Sequence, residues 1–344
     1  MFVVNYKVTS PGVLEQFIEN LEYQDKVLVS VERMAICKAD IRYFLGNRDR
    51  FVLDHKYPLT PIHEAVGIVV KDPTGNFKPG DKVILIPNSI NSTLCPTCPH
   101  QRCFNEEMGN NYCPFATFRS SNADGFLRKF YACEPALLVK YSPDVDPSVA
   151  VYSELLSVAN AACRRIDFSK AKKIAIFGDG IMAYVVYMVI RHIYKRDLTI
   201  FGIDENKLAM FKEAKAITIN DYDNYPFDTL IECVGGKFSE TAINQMIDIA
   251  QVGADLILMG VSEGGANINT RKILEKGLNL KGITRSSRLD FETVAKALDN
   301  KELQKAIKPM VISETTIKSI HDIYHCYEAD IANTKVIGKH IMKF

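Results

Sequence analysis

Apolar residues occur in short runs along the first part of the chain, and turn-forming residues separate these runs. Examples are Lys26–Glu32, Ala65–Lys71 and Lys82–Ile86, and the turn Phe77–Asp81 precedes the last of them. Short runs of β-favouring residues between Pro, Gly and Asn are typical of strands in an irregular, mostly antiparallel sheet. Residues 1 to about 150 are therefore predicted to form a β-rich domain.

The pattern changes after about residue 150, where apolar strands alternate with helical stretches. The strand candidates are Lys173–Phe177, Leu198–Gly202, Thr229–Cys233 and Asp255–Met259. The helical stretches between them are Ile181–Tyr194, Asn206–Ala214 and Phe238–Ala250. Strands that alternate with helices of this length predict a doubly wound parallel sheet, so we expect an α/β fold.

The last part of the chain combines a helix, Asp290–Leu298, with strand-like pieces that end in Val336–Met342. We expect this segment to return to the first domain. The predicted domains are residues 1–152, 153–287 and a returning segment 288–344. The length of 344 residues agrees with two domains of about 150 residues each.

Composition narrows the functional classes. The chain is 47% hydrophobic and 24% charged, and its formal net charge is +1. This balance argues against a strongly basic nucleic-acid binder and against an acidic disordered chain. The longest apolar run, Ile181–Ile190, is about half of the ~20 residues that cross a bilayer. The amino terminus also lacks a secretory signal pattern, so we expect a soluble, cytoplasmic protein without nucleic-acid or membrane partners.

A glycine-rich turn follows the strand candidate at 173–177. The segment 178–183 reads Gly-Asp-Gly-Ile-Met-Ala, which is G-x-G-x-x-A, and an apolar helix follows. Gly178 allows the tight turn, Gly180 lets a pyrophosphate approach the backbone, and Ala183 keeps the helix close to the strand. The helix amino terminus offers N–H donors to the phosphates. This context predicts a dinucleotide site, although such a turn can also be purely structural.

The end of the second strand selects between NAD and NADP. An acidic residue there would bind the ribose 2′-hydroxyl. The expected position is Gly202, which would not repel a 2′-phosphate, and Lys207 is close enough in the chain to pair with one. We therefore predict NADP(H). The alternative is that Asp204 binds the ribose, which would favour NAD.

Two groups of residues are candidate metal ligands. The four cysteines with the spacing C-x2-C-x4-C-x9-C are Cys95, Cys98, Cys103 and Cys113. Four thiolates complete a tetrahedral Zn²⁺ site, so this group predicts a structural zinc. The alternative is a set of incidental thiols. The second group, Cys37 and His63, is dispersed, and its spacing alone decides nothing.

The order of the motifs is more specific than any one of them. Cys37-x-x-Asp40 is followed by His63-Glu64 before Gly67, and then by Gly80–Val83. The four cysteines, the segment Glu154–Val158 and the G-x-G-x-x-A turn come next. Over essentially the whole chain this order resembles the zinc-dependent medium-chain dehydrogenase/reductase family.

The resemblance implies a GroES-like β-rich catalytic domain, a Rossmann domain and a homodimer. It also implies a catalytic zinc with Cys37, His63 and Glu154 as ligands, and with Glu64 as a neighbouring carboxylate that binds or releases the ion. Asp40 would orient His63. For Glu154 the alternative is a carboxylate favoured by the helix dipole.

One position departs from the family pattern. Many members carry Ser or Thr two residues after the first ligand as a proton relay, whereas this chain has Ala39. Proton exchange would then use water, with Glu64 or Tyr43.

Within the family the chain resembles bacterial ribitol-5-phosphate dehydrogenases, which reduce ribulose 5-phosphate with NADPH and supply CDP-ribitol for cell-wall or capsule polymers. The segments that carry this resemblance are Ile36–Arg48, Phe118–Ser121 before Asp124–Phe126, and Glu232–Gly236, in which Val234 is expected to contact the cofactor.

A sugar phosphate needs cations and donors, and the candidates are Arg42, Tyr43, Arg119 and Ser120. The alternative is that these side chains are solvated at the surface and bind no substrate. Two other functions stay open at this point. One is an NAD-dependent dehydrogenase of unphosphorylated polyols such as sorbitol or xylitol, and the other is a non-catalytic protein that binds nucleotide and zinc.

Overall fold

The structure, a computed structural model, describes residues 1–90, 111–113, 115–219, 226–262 and 264–344. They divide into two units, which are described separately. Unit 1 comprises Met1–Ser157, Ser286–Thr334 and Gly338–Phe344, and unit 2 comprises Val158–Arg285 and Lys335–Ile337. The chain thus leaves unit 1 a few residues after the predicted boundary at 152.

Unit 1 is mainly β-structure. Its amino-terminal strands are β1 (Phe2–Ser10), β2 (Val13–Asn20), β3 (Val27–Ala35), β4 (Glu64–Lys71), β5 (Lys82–Leu85), β6 (Asn88–Ile90), β7 (Ala116–Phe118), β8 (Phe130–Cys133) and β9 (Leu138–Lys140). The helices of this part are α1 (Lys38–Phe44), α2 (Arg50–Lys56), α3 (Pro147–Ala150) and α4 (Ser153–Cys163), and the chain passes into unit 2 within α4.

Unit 2 alternates strands with helices. Its strands are β10 (Ile174–Phe177), β11 (Thr199–Gly202), β12 (Lys215–Thr218), β13 (Phe227–Glu232), β14 (Ala250–Leu258) and β15 (Asn279–Gly282). Its helices are α5 (Ile181–His192), α6 (Glu205–Leu208), α7 (Ser239–Ile249) and α8 (Thr270–Lys276). The returning part of unit 1 adds α9 (Arg288–Ala297), α10 (Lys301–Ile307), β16 (Val311–Thr316), α11 (Ile320–Ala332) and β17 (Lys339–Lys343). Short 3-10 helices cover Pro135–Leu137, Gly236–Phe238 and Lys308–Met310.

The main sheet of unit 1 has the order β16-β17-β3-β4-β5-β9, and β8 also pairs with β3. These pairings are antiparallel except that of β16 with β17. Because β3 pairs with three other strands, most of its side chains are buried, and Val27, Val29, Val31 and Met34 belong to the core of the unit. The returning strand β17 lies beside β3, as the sequence predicted for the last segment.

A polar network fastens β1 to the segment before β8. The carboxylate of Asp124 accepts hydrogen bonds from the amide of Thr60 at 2.9 Å and from Lys7 Nζ at 3.0 Å. Arg128 lies 3.7 Å from the same carboxylate. Burial raises the pKa of Asp124, but these hydrogen bonds and charges outweigh it, so the pKa lies below its usual value.

The sheet of unit 2 is parallel throughout, in the order β12-β11-β10-β13-β14-β15. This is the doubly wound order in which the topology reverses between β10 and β13. The central strands β10 and β13 are largely buried, as expected where helices cover both faces of such a sheet. The predicted doubly wound parallel sheet is confirmed, and so is the β-rich character of the first part of the chain.

Two helical predictions need correction. The predicted helix Asn206–Ala214 is only the single turn α6, because the chain then bends to bury Phe211 between Tyr184 and Tyr187, with ring centroids 5.2 and 5.3 Å apart. The sequence prediction also missed α10 and α11. For α11 the signal was present, since the Ser319 amide donates to Asp322 in a capping box. Among the described residues, no helix combines the length and the apolarity needed to cross a membrane.

Candidate active site

Three strand ends of unit 1 meet at one place. Ala35, the last residue of β3, pairs with Glu64 at the start of β4 and with Ile341 in β17. Both pairings are antiparallel, so the residues that follow β3 lie beside those at the start of β4 and β17. Cys37 is therefore brought next to His63-Glu64, although these residues are distant in the chain.

The spacing Cys37-x-x-Asp40 is a helix start. Cys37 is the N-cap of α1, and its backbone N–H donates to Asp40 Oδ2 at 2.9 Å. An acidic side chain three residues after the cap is a recurrent way to satisfy a free amide there. The same hydrogen bond places the carboxylate of Asp40 beside Cys37.

Asp40 also orients His63. The carboxylate is fully buried, and its Oδ1 atom accepts hydrogen bonds from the Ile62 amide at 3.1 Å and from the Ser120 hydroxyl. His63 Nδ1 lies 3.5 Å from the same oxygen, so Nε2 is the ring nitrogen left for a ligand. Burial raises the pKa of Asp40, but the charge on His63 and the hydrogen bonds outweigh it and lower the pKa.

Two residues around Asp40 have left-handed backbone conformations. The φ angles of Ile62 and Ser120 are 75° and 63°. Such angles are unfavourable for residues other than glycine, above all for β-branched Ile. Both residues donate to Asp40, which therefore ties two strained backbone positions to the site.

The donor atoms of Cys37, His63 and Glu64 lie within 4.8 Å of one another. Sulfur, imidazole nitrogen and carboxylate oxygen are the atoms that bind Zn²⁺ in proteins. Burial lowers the pKa of His63, but the charges of Asp40 and Cys37 raise it well above its usual value. The site therefore favours a cation, and its donor set fits zinc.

Glu154, the other predicted ligand, is not among these three residues. It lies in the first turn of α4 and is 6% exposed. Burial raises the pKa of Glu154 to about 7, with His63 acting against this shift and Glu64 adding to it. These interactions place it in the same electrostatic environment, and its role as a ligand stays a prediction.

Lys339, which starts β17, is a member of the site that was not predicted from the sequence. Its Nζ atom donates to both oxygens of Glu64, at 2.5 and 2.6 Å. Both side chains are buried, with 7% and 0% exposure. Burial lowers the pKa of Lys339, but the charge of Glu64 outweighs it and raises the pKa. Nothing in the sequence marks this lysine, because the register of β17 on β3 brings it here.

The predicted substrate residues have varied surroundings. The ring of Phe118 lies 5.2 Å from that of His63, whereas the Arg119 guanidinium lies over Tyr131, 5.7 Å from the ring centroid. The hydroxyl of Ser120 donates to Asp40 rather than remaining available for a phosphate. Arg42 is half-buried in α1, and Tyr43 is buried beside it. The substrate roles of these residues stay predictions.

The glycine-rich turn in unit 2 has the predicted placement. Gly178 follows β10 with φ 129°, Gly180 is the N-cap of α5, and Ala183 is fully buried. Val234, another predicted cofactor contact, follows β13 and is 39% exposed. Both segments extend from the carboxyl ends of neighbouring strands, where dinucleotides bind in such sheets.

The end of β11 holds a carboxylate that the sequence analysis did not consider. Asp179 Oδ2 accepts from the amides of Ile203 and Asp204 at 2.7 and 2.8 Å. A Cβ on Gly202 would lie 2.8 Å from the Asp179 Cβ. Glycine at 202 is therefore also required by this packing, and does not by itself report a 2′-phosphate.

The alternative ribose ligand, Asp204, caps α6. Its Oδ1 atom accepts from the amides of Asn206 and Lys207 at 3.0 and 3.2 Å. Lys207 Nζ lies 4.0 Å from the same carboxylate. Asp204, which would favour NAD, and Lys207, which would favour NADP, thus interact with each other.

Most of the predicted structural zinc site lies outside the described residues, namely Cys95, Cys98 and Cys103. Cys113 is described and is buried beside Ala116 and Ile90. The structural zinc therefore stays a prediction.

Comparisons with known proteins agree with this fold. The alcohol dehydrogenase GroES-like domain family matches residues 23–143. The chain is 35% identical over 339 residues to a ribulose-5-phosphate reductase of Streptococcus pneumoniae, which covers 95% of this chain and 93% of that protein. It is 34% identical over 347 residues to ribulose-5-phosphate reductase 1 of Staphylococcus aureus, with 98% of each covered.

A solved structure is similar over the whole chain. The crystal structure of S. aureus TarJ in complex with NADPH matches with a TM-score of 0.85 and 31% identity, and covers 100% of this chain and 99% of that one. The fold, the motif order and these relatives agree. The chain therefore belongs to the medium-chain dehydrogenase/reductase family and is an oxidoreductase.

Proposed function

We propose that this oxidoreductase is a zinc- and NADP(H)-dependent enzyme that reduces D-ribulose 5-phosphate to D-ribitol 5-phosphate. One observation carries the proposal. The clustered donor set of Cys37, His63 and Glu64, of which His63 and Glu64 are buried, lies in a chain that matches ribulose-5-phosphate reductases over nearly its full length. A bound nicotinamide would supply the hydride chemistry, and the residues of this chain would supply position and electrostatics.

The ligands that we assign to the zinc are Cys37, His63 and Glu154, with Glu64 as the adjacent carboxylate. A zinc ion held by these residues would supply Lewis-acid polarisation of a substrate oxygen. Asp40 keeps the His63 ring oriented through the contact at Nδ1. Lys339 holds Glu64 and balances its charge.

Proton delivery to the product oxygen needs a route without a hydroxyl at position 39, which is alanine. We assign this step to water, with Glu64 or Tyr43 beside it. The substrate phosphate is assigned to Arg42 and Arg119, since guanidinium groups bind phosphate with two parallel hydrogen bonds.

NADP(H) is the proposed cofactor because the similar structure is a complex with NADPH. NAD is the second candidate. The observation in its favour is that Asp179 and Asp204 both lie beside the end of β11, where a carboxylate would repel a 2′-phosphate.

The wider assignment follows from the substrate. We place the enzyme in the cytoplasm as a homodimer, and its product in the supply of CDP-ribitol for cell-wall or capsule polymers. A polyol phosphate of this kind is a precursor that a nucleotidyl transferase would consume.

The test is oxidation of NADPH, followed by absorbance, with ribulose 5-phosphate as substrate. Cys37→Ser should abolish turnover and lower the zinc content by about one ion per chain. Cys326→Ser changes a buried thiol of unit 1 outside this donor set and should retain both. Unchanged turnover in Cys37→Ser would reject the zinc assignment.

The substrate and the cofactor are tested in the oxidative direction. The comparison uses ribitol 5-phosphate, sorbitol and xylitol, each with NADP⁺ and with NAD⁺. Ribitol 5-phosphate with NADP⁺ should give the highest kcat/KM. A higher value for sorbitol or xylitol with NAD⁺ would reject both the phosphate and the NADP(H) assignments in favour of a polyol dehydrogenase.

A further inference from the structure

Glu232 is a fully buried carboxylate at the end of β13. Its Oε1 atom accepts from the amides of Val234 and Gly235 at 3.0 and 2.8 Å, and from the Ser239 hydroxyl at 3.3 Å. Its Oε2 atom accepts from the amide of Gly260 at 2.8 Å. One side chain thus collects four donors, of which three are backbone amides.

These amides belong to two different loops. Val234 and Gly235 follow β13, and Gly260 follows β14. The loops also pair directly, since the amide of Gly236 donates to the Val261 carbonyl at 2.9 Å. Glu232 therefore joins the loops at the carboxyl ends of two adjacent strands.

The space between the loops leaves no room for adjustment. A Cβ on Gly260 would lie 2.4 Å from Glu232 Oε1 and 2.4 Å from the amide nitrogen of Gly235. Gly235 itself has φ 64°, which favours glycine. The spacing of the two loops is thus set by the carboxylate and by two positions without side chains.

The first of these loops borders the glycine-rich turn. The Cys233 amide donates to the Phe177 carbonyl at 2.8 Å. A Cβ on Gly178 would lie 3.1 Å from the Cys233 carbonyl carbon and oxygen. The segment after Glu232 therefore lies beside the turn that is proposed to bind the pyrophosphate, on the opposite side from β11.

The strand order indicates which half of a bound dinucleotide would lie beside these two loops. In a doubly wound sheet the two halves of the cofactor lie on either side of the point where strand order reverses. The strands β10, β11 and β12 serve the adenosine half, whose ribose lies at the end of β11. The ends of β13 and β14 therefore face the nicotinamide half.

We propose that Glu232 is a positioning residue that holds these two loops in the conformation that binds the nicotinamide half of the cofactor. It does so without touching the cofactor, through the amides of Val234, Gly235 and Gly260. The inference rests on the proposed use of a nicotinamide dinucleotide. It holds for either NADP(H) or NAD(H), since it concerns the half that they share.

The experiment measures two dissociation constants by calorimetry on the full-length protein. The probes are NADPH and adenosine 2′,5′-bisphosphate, which lacks the whole nicotinamide half. Glu232→Gln keeps the shape of the side chain, but it replaces one acceptor oxygen by an amino group that faces N–H donors. Loss of buried carboxylate bonds should weaken NADPH binding roughly 10- to 100-fold. Binding of adenosine 2′,5′-bisphosphate should change by less than about 2-fold, since its contacts lie on the adenosine half.

A matched control is available at the other end of the same strand. Asp228 in β13 accepts from the amides of Lys172 and Lys173, both at 2.9 Å. Asp228→Asn also removes carboxylate bonds to two backbone amides, but at the amino end of the sheet. Both probes should bind it as they bind the unmodified protein.

Three results would overturn the inference. They are unchanged NADPH binding in Glu232→Gln, an equal loss for both probes, and the same selective loss in Asp228→Asn. If Glu232→Gln does not fold, Glu232→Asp takes its place, because the shorter side chain cannot reach both loops, and the same outcomes apply. If the unmodified protein binds neither NADPH nor NADH, the proposed function fails instead, which separates the two failures.

Discussion

Lys339→Met tests how the buried ion pair with Glu64 supports unit 1. Methionine has a similar length and is unbranched, so the main change is the loss of the ammonium group. Glu64 is then left buried, at 0% exposure, without its cation. Removing one partner of a buried pair typically costs about 3–5 kcal/mol, because the remaining charge stays desolvated.

The loss should be visible in thermal unfolding. Unit 1 is a body of roughly 200 residues, for which 1 kcal/mol corresponds to about 2–4 °C in Tm. The variant should therefore unfold about 6–20 °C below the unmodified protein when both are measured in EDTA. Excess zinc should reduce the difference, because a cation at Cys37 and His63 again balances Glu64.

The control is another lysine with equally close geometry but greater exposure. Lys140 Nζ lies 2.6 Å from Asp81 Oδ2, and its side chain is 48% exposed. Lys140→Met should lower the stability by less than about 1 kcal/mol. The double variant Lys339→Met/Glu64→Gln should recover most of the loss, since neither charge remains.

Two results would contradict this reasoning. One is a Tm for Lys339→Met that is no lower than that for Lys140→Met. The other is a double variant that is as unstable as the single one, which would show that shape rather than charge causes the loss.

Three further predictions concern other parts of the chain. Asp40→Asn should weaken zinc binding about 10- to 100-fold in competition with a chromophoric chelator, because His63 loses its orienting charge, and unchanged affinity would argue against that role. Asp124→Asn should lower stability by about 1–2 kcal/mol at pH 7. Because the pKa of Asp124 is lowered in the folded state, its contribution is present above about pH 4 and lost as the pH falls further. The urea midpoints of the variant and of the unmodified protein should therefore differ at pH 7 and lie closer together at pH 3. A difference that is the same at both pH values would show that charge is not involved. Gly202→Ala should destabilise unit 2 by about 1–3 kcal/mol in thermal unfolding, since a Cβ would lie 2.8 Å from side-chain atoms of Asp179 and Leu208, and an unaltered Tm would contradict the packing.

Local patterns were enough for most of the architecture. The alternation of strands and helices predicted the parallel sheet of unit 2, and the G-x-G-x-x-A turn at 178–183 predicted its dinucleotide loop. These signals are local because hydrophobic periodicity and turn chemistry act over a few residues. The periodicity gave a wrong prediction after α6, because there the chain bends to bury the side chain of Phe211.

Some residues of the candidate site could likewise be found from local patterns, and others could not. Cys37, Asp40, His63 and Glu64 stood out through short motifs and their order along the chain. Glu154 was named by resemblance, whereas the cysteines at 95, 98 and 103 were named from their spacing, and both stay predictions. The sequence did not show that Ser120 donates to Asp40, since 80 residues separate them.

The sequence by itself determined the strands, the helix starts and the residue types available for chemistry, because these depend on neighbours in the chain. The tertiary structure decided which of these residues form ion pairs and hydrogen bonds with one another. Lys339 reaches Glu64 across 275 residues because β17 pairs with β3 in one antiparallel register. Asp179 reaches the end of β11 because parallel strands align their carboxyl ends. Pairings of this kind depend on how distant strands pack together, and no local pattern encodes them.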